Sequence, residues 1–137
     1  MKTILLVEDD PFLIDIYSTK MKDSGFEVDV AVDGEEALKK IEEHNQKNLP
    51  GPIAEEARGL WPDIVVMDLV LPRIDGWEVL KRIKGDAKFK ELKLIVLSNL
   101  GQKNEVEKGL ELGATKYLIK AHYTPSEVIQ VIKEIIQ

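Results

Sequence analysis

Four short apolar runs punctuate the chain, and each ends on a polar side chain. Ile4–Val7 leads to Glu8, Asp9 and Asp10, Ile64–Met67 to Asp68, Leu94–Leu97 to Ser98, and Tyr117–Ile119 to Lys120. These runs are apolar at successive rather than alternate positions, which predicts strands covered on both faces, as in a parallel sheet. A fifth segment, Glu27–Ala31, alternates polar with apolar residues and predicts a half-exposed edge strand. Between the strands the apolar spacing becomes helical. Pro11 suits a first helical turn, Leu13, Ile16, Tyr17 and Met21 form one face, and Gly25 is a stop. Asp33 and Glu36 have capping-box spacing ahead of Ala37, Leu38 and Ile41. Asp75 and Gly76 open a helix carrying Trp77, Val79, Leu80 and Ile83, and a further helix from Lys103 to Leu112 closes at Gly113. Thr124, Pro125 and Glu127 place an N-cap, an N1 proline and an N3 glutamate before an apolar stretch from Val128 to Ile136.

Strand and helix thus alternate five times. The connection rules turn this into a doubly wound α/β domain with helices on both faces of a five-stranded parallel sheet. The flavodoxin-like strand order 2-1-3-4-5 is the natural choice, with its switch point between the first and third strands. Open parallel sheets bind ligands beyond the carboxyl ends of their strands. Three acids, a hydroxyl and an ammonium are therefore expected along one edge.

The length of 137 residues suits one domain, 1–137, with one departure from compactness: about eighteen residues, Asn45 to Pro62, separate the second helix from the third strand. This insertion contains Pro50, Gly51 and Pro52, with room for a helical turn or two in 53–60. It reads as a tolerated surface insertion or as a partner-docking element. With 44% hydrophobic and 32% charged residues the chain is expected to be globular. Its net charge of −6 lacks the basic footprint that direct nucleic-acid binding requires. There is no cysteine, which excludes disulfides and thiolate metal sites. The Ile4–Val7 run is too short for a signal-peptide core or a membrane span, so the expected setting is the cytoplasm, away from membranes.

Taken singly, each polar strand end has an ordinary explanation: Asp10 as a helix cap, Ser98 as a turn residue, Lys120 as a solvated lysine. Taken together, carboxylates from adjacent strands repel unless a proton or cation lies among them. Glu8, Asp9 and Asp68 offer the oxygen donors that suit Mg²⁺ or Mn²⁺. Asp68, at the end of the central strand, is the candidate nucleophile, able to form an acyl phosphate. Lys120 would pair with a phosphoryl oxygen and Ser98 would donate to another.

The motifs Leu6-Val7-Glu8-Asp9-Asp10-Pro11, Pro62-Asp63-Ile64-Val65-Val66-Met67-Asp68 with Leu71-Pro72 and Asp75-Gly76, Val96-Leu97-Ser98, and Gly113-Ala114 with Tyr117-Leu118-Ile119-Lys120 occur in one order and spacing. The chain thereby resembles the response-regulator receiver domains of two-component signalling, of the chemotaxis-regulator-like kind, over essentially its full length. The resemblance implies phosphorylation of Asp68 by a sensor histidine kinase or phosphotransfer protein. It also implies metal binding by Glu8, Asp9, Asp68 and the backbone carbonyl of Val70. Ser98 and Tyr117 would act as a switch that reports to a surface of the fourth helix, fifth strand and fifth helix. A downstream protein and a possible homodimer are the expected partners.

The chain departs from the family pattern in two places, after Lys120 and after Ser98. Ala121 follows Lys120 where proline is usual, which implies either a trans path or a strained cis bond, since a non-proline cis bond costs about 2.5–4 kcal/mol. His122 is an exposed loop residue or a proton donor beside the site. Asn99 stands where a small residue is usual, and Val70 has no polar group to orient an attacking water. The chain reads as a stand-alone receiver domain, not an enzyme beyond catalysing its own phosphorylation and dephosphorylation. Two rivals fit less well. An aspartate-nucleophile phosphohydrolase would need an acid at position 70, and a flavin binder would need a glycine- and hydroxyl-rich loop where Glu8, Asp9 and Asp10 stand. A degenerate receiver acting as a phosphorylation-independent binding module is opposed by the complete set of Asp68, Ser98 and Lys120.

Overall fold

A computed structural model describes residues 1–45 and 59–137. The described elements alternate along the chain. They are β1 (Thr3–Val7), α1 (Pro11–Asp23), β2 (Glu27–Ala31), α2 (Gly34–His44), β3 (Ile64–Met67), α3 (Gly76–Lys84), β4 (Lys93–Ser98), α4 (Lys103–Glu111), β5 (Lys116–Ile119) and α5 (Pro125–Ile136). The five strands form one sheet, all pairs parallel, in the order β2-β1-β3-β4-β5. The flavodoxin-like architecture expected from the alternation is the one observed. Most of the 45–62 insertion, including its expected helical turns, lies outside the described residues.

The register explains why the central strands are apolar throughout. Leu5, Val7, Val65, Met67, Leu94 and Val96 face one side, where Ala37 and Ile41 of α2 and Val79, Leu80 and Ile83 of α3 cover them. Ile4, Leu6, Ile64, Val66, Ile95 and Leu97 face the other, under Tyr17 and Met21 of α1 and Val128, Ile129 and Ile132 of α5. Each β-strand turns successive side chains to opposite faces, so a strand with helices on both sides has no polar position to spare. β2, at the edge, is exposed or half-buried from Glu27 to Val30.

The helix ends follow the sequence signals closely. Asp10 caps α1, accepting from the N–H groups of Phe12 at 2.9 Å and Leu13 at 3.4 Å. Asp75 caps α3 by accepting from Glu78 N–H at 3.0 Å. Thr124 and Glu127 form both halves of the box at α5, at 3.2 and 2.9 Å. At α2 only half the expected box forms. Asp33 accepts from Glu36 N–H at 2.7 Å, while the Glu36 carboxylate turns to Val32 N–H at 3.5 Å. α1 and α4 are followed by Gly25 and Gly113, at φ of 95° and 112°, which only glycine adopts without strain.

The foot of the insertion is fixed. Asn45, the buried C-cap of α2, donates from Nδ2 to the carbonyl of Trp61 at 2.8 Å and accepts at Oδ1 from Trp61 N–H at 3.0 Å. The His44 ring stacks on the Trp61 indole, 3.8 Å between centroids and 11° between planes. α2 and β3 are thereby joined directly, at the end of the sheet opposite the strand carboxyl termini.

Candidate functional site

The strand ends converge as the parallel topology requires. Val7 and Met67 are register partners in β1 and β3, so Glu8 and Asp68 emerge side by side. The backbone continues this pairing, with Asp68 N–H donating to the Val7 carbonyl at 3.0 Å. Lys120 follows the last residue of β5 and extends its ammonium across the edge. Its Nζ lies 2.6 Å from Glu8 Oε1 and 2.7 Å from Asp68 Oδ2. All three side chains are largely buried. Glu8, Asp9 and Asp68 each offer a carboxylate oxygen within 4.8 Å of the others, with Asp9 on the exposed side.

Burial raises the Glu8 carboxyl above its ordinary value, and the hydrogen bond and charge of Lys120 only partly oppose this. For Lys120, burial acts to lower the ammonium, but hydrogen bonds to Asp68 and Glu8 and their charges outweigh it, and its pKa lies above that of an ordinary lysine. Three carboxylates face one ammonium, so the cluster carries excess negative charge in a low-dielectric place. Closely spaced oxygens with an excess of negative charge fit a small hard dication, which Glu8, Asp9 and Asp68 would hold. The donor set contains no nitrogen or sulfur, which selects against zinc and copper.

The bond from Lys120 to Ala121 is trans, the only cis peptide among the described residues being Trp61–Pro62. Residues Lys120–His122 form a 3₁₀ turn, with Tyr123 N–H bonded to the Lys120 carbonyl at 3.3 Å. Of the two paths open for Ala121 the trans path is the one observed, and it still delivers the ammonium to Asp68. His122 is exposed in that turn, and Asn99 is exposed beyond β4.

The loop after Asp68 is built on a close approach. Leu69 is buried, and its carbonyl accepts from Gly76 N–H at 2.8 Å. A Cβ at Gly76 would lie 2.5 Å from both the Asp68 carbonyl oxygen and Leu69 Cα, so only glycine lets α3 start here. Val70 N–H donates to Asp68 Oδ1 at 3.2 Å, while Val70 as a residue is 61% exposed at the rim. One carboxylate oxygen of Asp68 is thus held by the loop and the other by Lys120. Arg73, further along, has a φ of 66°, a conformation that costs a residue with a Cβ roughly 1–2 kcal/mol.

Ser98 is fully buried, its Oγ accepting from Leu100 N–H at 3.3 Å. The Tyr117 hydroxyl donates to the Leu100 carbonyl. Burial, then the charges of Glu105 and Asp68, push the Tyr117 phenol up to about 12. The two expected switch residues therefore meet at one backbone unit, Leu100. Sequence reasoning missed it because a backbone amide carries no residue-type signal. The Tyr117 ring rests against α4 at Gly109, where a Cβ would come within 2.7 Å of Tyr117 Cδ2. Trp77 packs at the start of α3 with the Lys108 ammonium 4.5 Å from its ring.

Comparison with known proteins agrees with this geometry. Residues 4–133 match the model of the response regulator receiver domain. The alkaline phosphatase synthesis transcriptional regulatory protein PhoP of Bacillus subtilis is 33% identical over an alignment covering 99% of this chain and 49% of that protein. The chain spans about half the length of the curated relatives it matches. Among solved structures, a CheY-like response regulator receiver domain protein from Methanospirillum hungatei JF-1 superposes with a TM-score of 0.78 at 25% identity, covering 98% of this chain and 92% of that one. The Mn²⁺-bound form of the response regulator Rcp1 gives 0.75 at 28% identity, covering 96% and 89%. Among the described residues, no helix is long and apolar enough to cross a membrane.

Proposed function

The chain belongs to the family of response regulator receiver domains, and from that premise we propose that it accepts a phosphoryl group on Asp68 from a histidine kinase or phosphotransfer protein. The observation that carries this reading is the Lys120 ammonium, 2.7 Å from Asp68 and 2.6 Å from Glu8 within a cluster of three acids. A carboxylate oxygen of Asp68 attacks phosphorus, the new O–P bond forms in line with the breaking bond to the donor, and the leaving group departs with that electron pair. Lys120 holds a phosphoryl oxygen as a fixed positive charge, and Ser98 donates its hydroxyl proton to another.

Glu8, Asp9, Asp68 and the Val70 carbonyl are the residues that would hold Mg²⁺ or Mn²⁺, a choice supported by the oxygen-only donor set and by the Mn²⁺-bound relative. Such an ion supplies charge neutralisation for a phosphoryl group among carboxylates. The phosphorylated state is read out through Ser98, Leu100 and Tyr117 on the face of α4, β5 and α5. A new phosphoryl group that draws the Ser98 hydroxyl toward it as a donor would move the oxygen that accepts from Leu100 N–H, and so alter the unit to which Tyr117 is tied. The domain is not an enzyme of the ordinary kind, because the group it modifies is its own. A downstream protein, or a second copy of the chain, receives the signal.

Incubation with Mg²⁺ and acetyl phosphate, followed by intact mass, tests the reading. The expected result is one phosphoryl adduct on the parent, none on Asp68→Asn, and none when a chelator replaces the metal. An adduct that persists in Asp68→Asn would overturn the assignment.

A further inference from the structure

We infer that Arg73 is a positioning residue that moors the loop following Asp68 to the start of α2, and so sets the geometry of the phosphoacceptor; the inference rests on the reading of Asp68 above. The loop is anchored at its base by buried Leu69 and by the bond from Gly76 N–H to the Leu69 carbonyl. Residues 70–75 project from that base, and Val70 N–H is the one that reaches back to Asp68 Oδ1. Arg73 lies midway along this projection with left-handed backbone. An arginine has no short side-chain oxygen or amide to favour that conformation locally, so the conformation is held from outside.

The restraint is visible. Arg73 Nε lies 3.3 Å from Asp33 Oδ2 and Nη1 lies 3.4 Å from Glu35 Oε2. Asp33 is itself fixed, because its other oxygen caps α2 through Glu36 N–H at 2.7 Å. The adjacent backbone is docked as well. A Cβ at Gly34 would lie 1.8 Å from the Ile74 carbonyl oxygen, so the loop lies directly on the first turn of α2. Contact with Gly34 sets how near the loop can come, and the guanidinium fork supplies the attraction that keeps it there. The Arg73 and Glu35 side chains are well exposed, so this attraction is open to screening by salt.

Amide hydrogen exchange at Val70 in the metal-free protein reads the mooring without any ligand. Arg73→Ala is expected to speed that exchange about fivefold, the factor that corresponds to losing about 1 kcal/mol of exposed ion pairing. It is also expected to weaken Mn²⁺ binding, followed by tryptophan fluorescence, by a similar factor. Glu35→Gln should reproduce part of both changes, and Arg73→Lys, with one donor group in place of a fork, should recover part of them. Salt of about 1 M should bring Val70 exchange in the parent up to that of Arg73→Ala while leaving the variant nearly unchanged. Arg73→Gly relieves the backbone strain while removing the charge, and is expected to behave like Arg73→Ala.

Exchange and Mn²⁺ affinity within twofold of the parent in Arg73→Ala would overturn the inference. So would a parent-like Arg73→Gly beside a perturbed Arg73→Ala, since backbone strain alone would then be the cause. Failure of acetyl phosphate to modify Asp68 would remove the proposed function, yet Val70 exchange would still decide whether Arg73 holds the loop.

Discussion

Lys120 satisfies two carboxylates at once and, among the described residues, leaves Asp9 without a cation of its own, so the site is poised against the stability of the metal-free fold. Asp9→Asn removes one of the mutually repelling charges. It is expected to raise the melting temperature of the metal-free protein slightly while weakening Mg²⁺ affinity by tenfold or more, in the usual opposition of stability and function. Titrating the metal against tryptophan fluorescence and melting the apo form checks both signs. The Val70 side chain offers no polar atom to an incoming water, and a phosphoryl group accepted on Asp68, as proposed, is accordingly expected to be long-lived. Val70→Asn should shorten its lifetime, and timing loss of the adduct after donor removal tests this, with no acceleration counting against the idea. Tyr117 provides a pH prediction with a definite sign. Its phenol is raised in the fold, so the folded state keeps a proton that the unfolded chain loses near the ordinary tyrosine value. The contribution is complete below pH 10 and is lost as pH rises toward about 12. Denaturant unfolding across that range should show a steeper loss for the parent than for Tyr117→Phe.

The elements were legible where a local signal fixes their ends. Thr124, Pro125 and Glu127 gave the start of α5 to the residue, because capping is chemistry within one turn. Thr124→Ala is expected to cost about 1 kcal/mol by removing that cap, measurable as a lower denaturant midpoint at unchanged slope. Signals were weaker where tertiary contacts decide. The Glu36 carboxylate turned to Val32 rather than completing its box, and Gln102 and Glu105, not anticipated, pair at the start of α4, with Gln102 N–H donating to Glu105 at 3.0 Å. Positions of the acids, Ser98 and Lys120 were readable because a parallel sheet sends every strand end to one edge. Arg73 and Leu100 were not, since their roles depend on a backbone angle and a backbone carbonyl that no residue pattern encodes. The short junction between Asp68 and α3 is equally hidden. Gly76→Ala would drive a Cβ into the backbone of Asp68 and Leu69, and a loss of roughly 1–3 kcal/mol is expected in the same unfolding measurement.

For the whole molecule, the sheet would couple the proposed metal binding to unfolding. β1, β3 and β5 each deliver one wall of the cluster, and an ion held there as proposed would favour the folded state, in which those walls are together. Mg²⁺ at about a hundred times its dissociation constant should stabilise the fold by about 2.7 kcal/mol, a rise in melting temperature of roughly 10 °C that a chelator reverses. Asp68→Asn and Asp9→Asn should each reduce that rise.

The paired amides of Asn45 and Trp61 carry a consequence for how such a chain accommodates change. Where two ends are held this firmly, the length of a flexible stretch grafted between them would enter the free energy only logarithmically, at about 0.6 kcal/mol per doubling. Shortening or exchanging it between these two residues should leave the chemistry at the far rim of the sheet untouched. Evolution, or an engineer, is therefore free to graft new sequence there without renegotiating the cluster around Asp68.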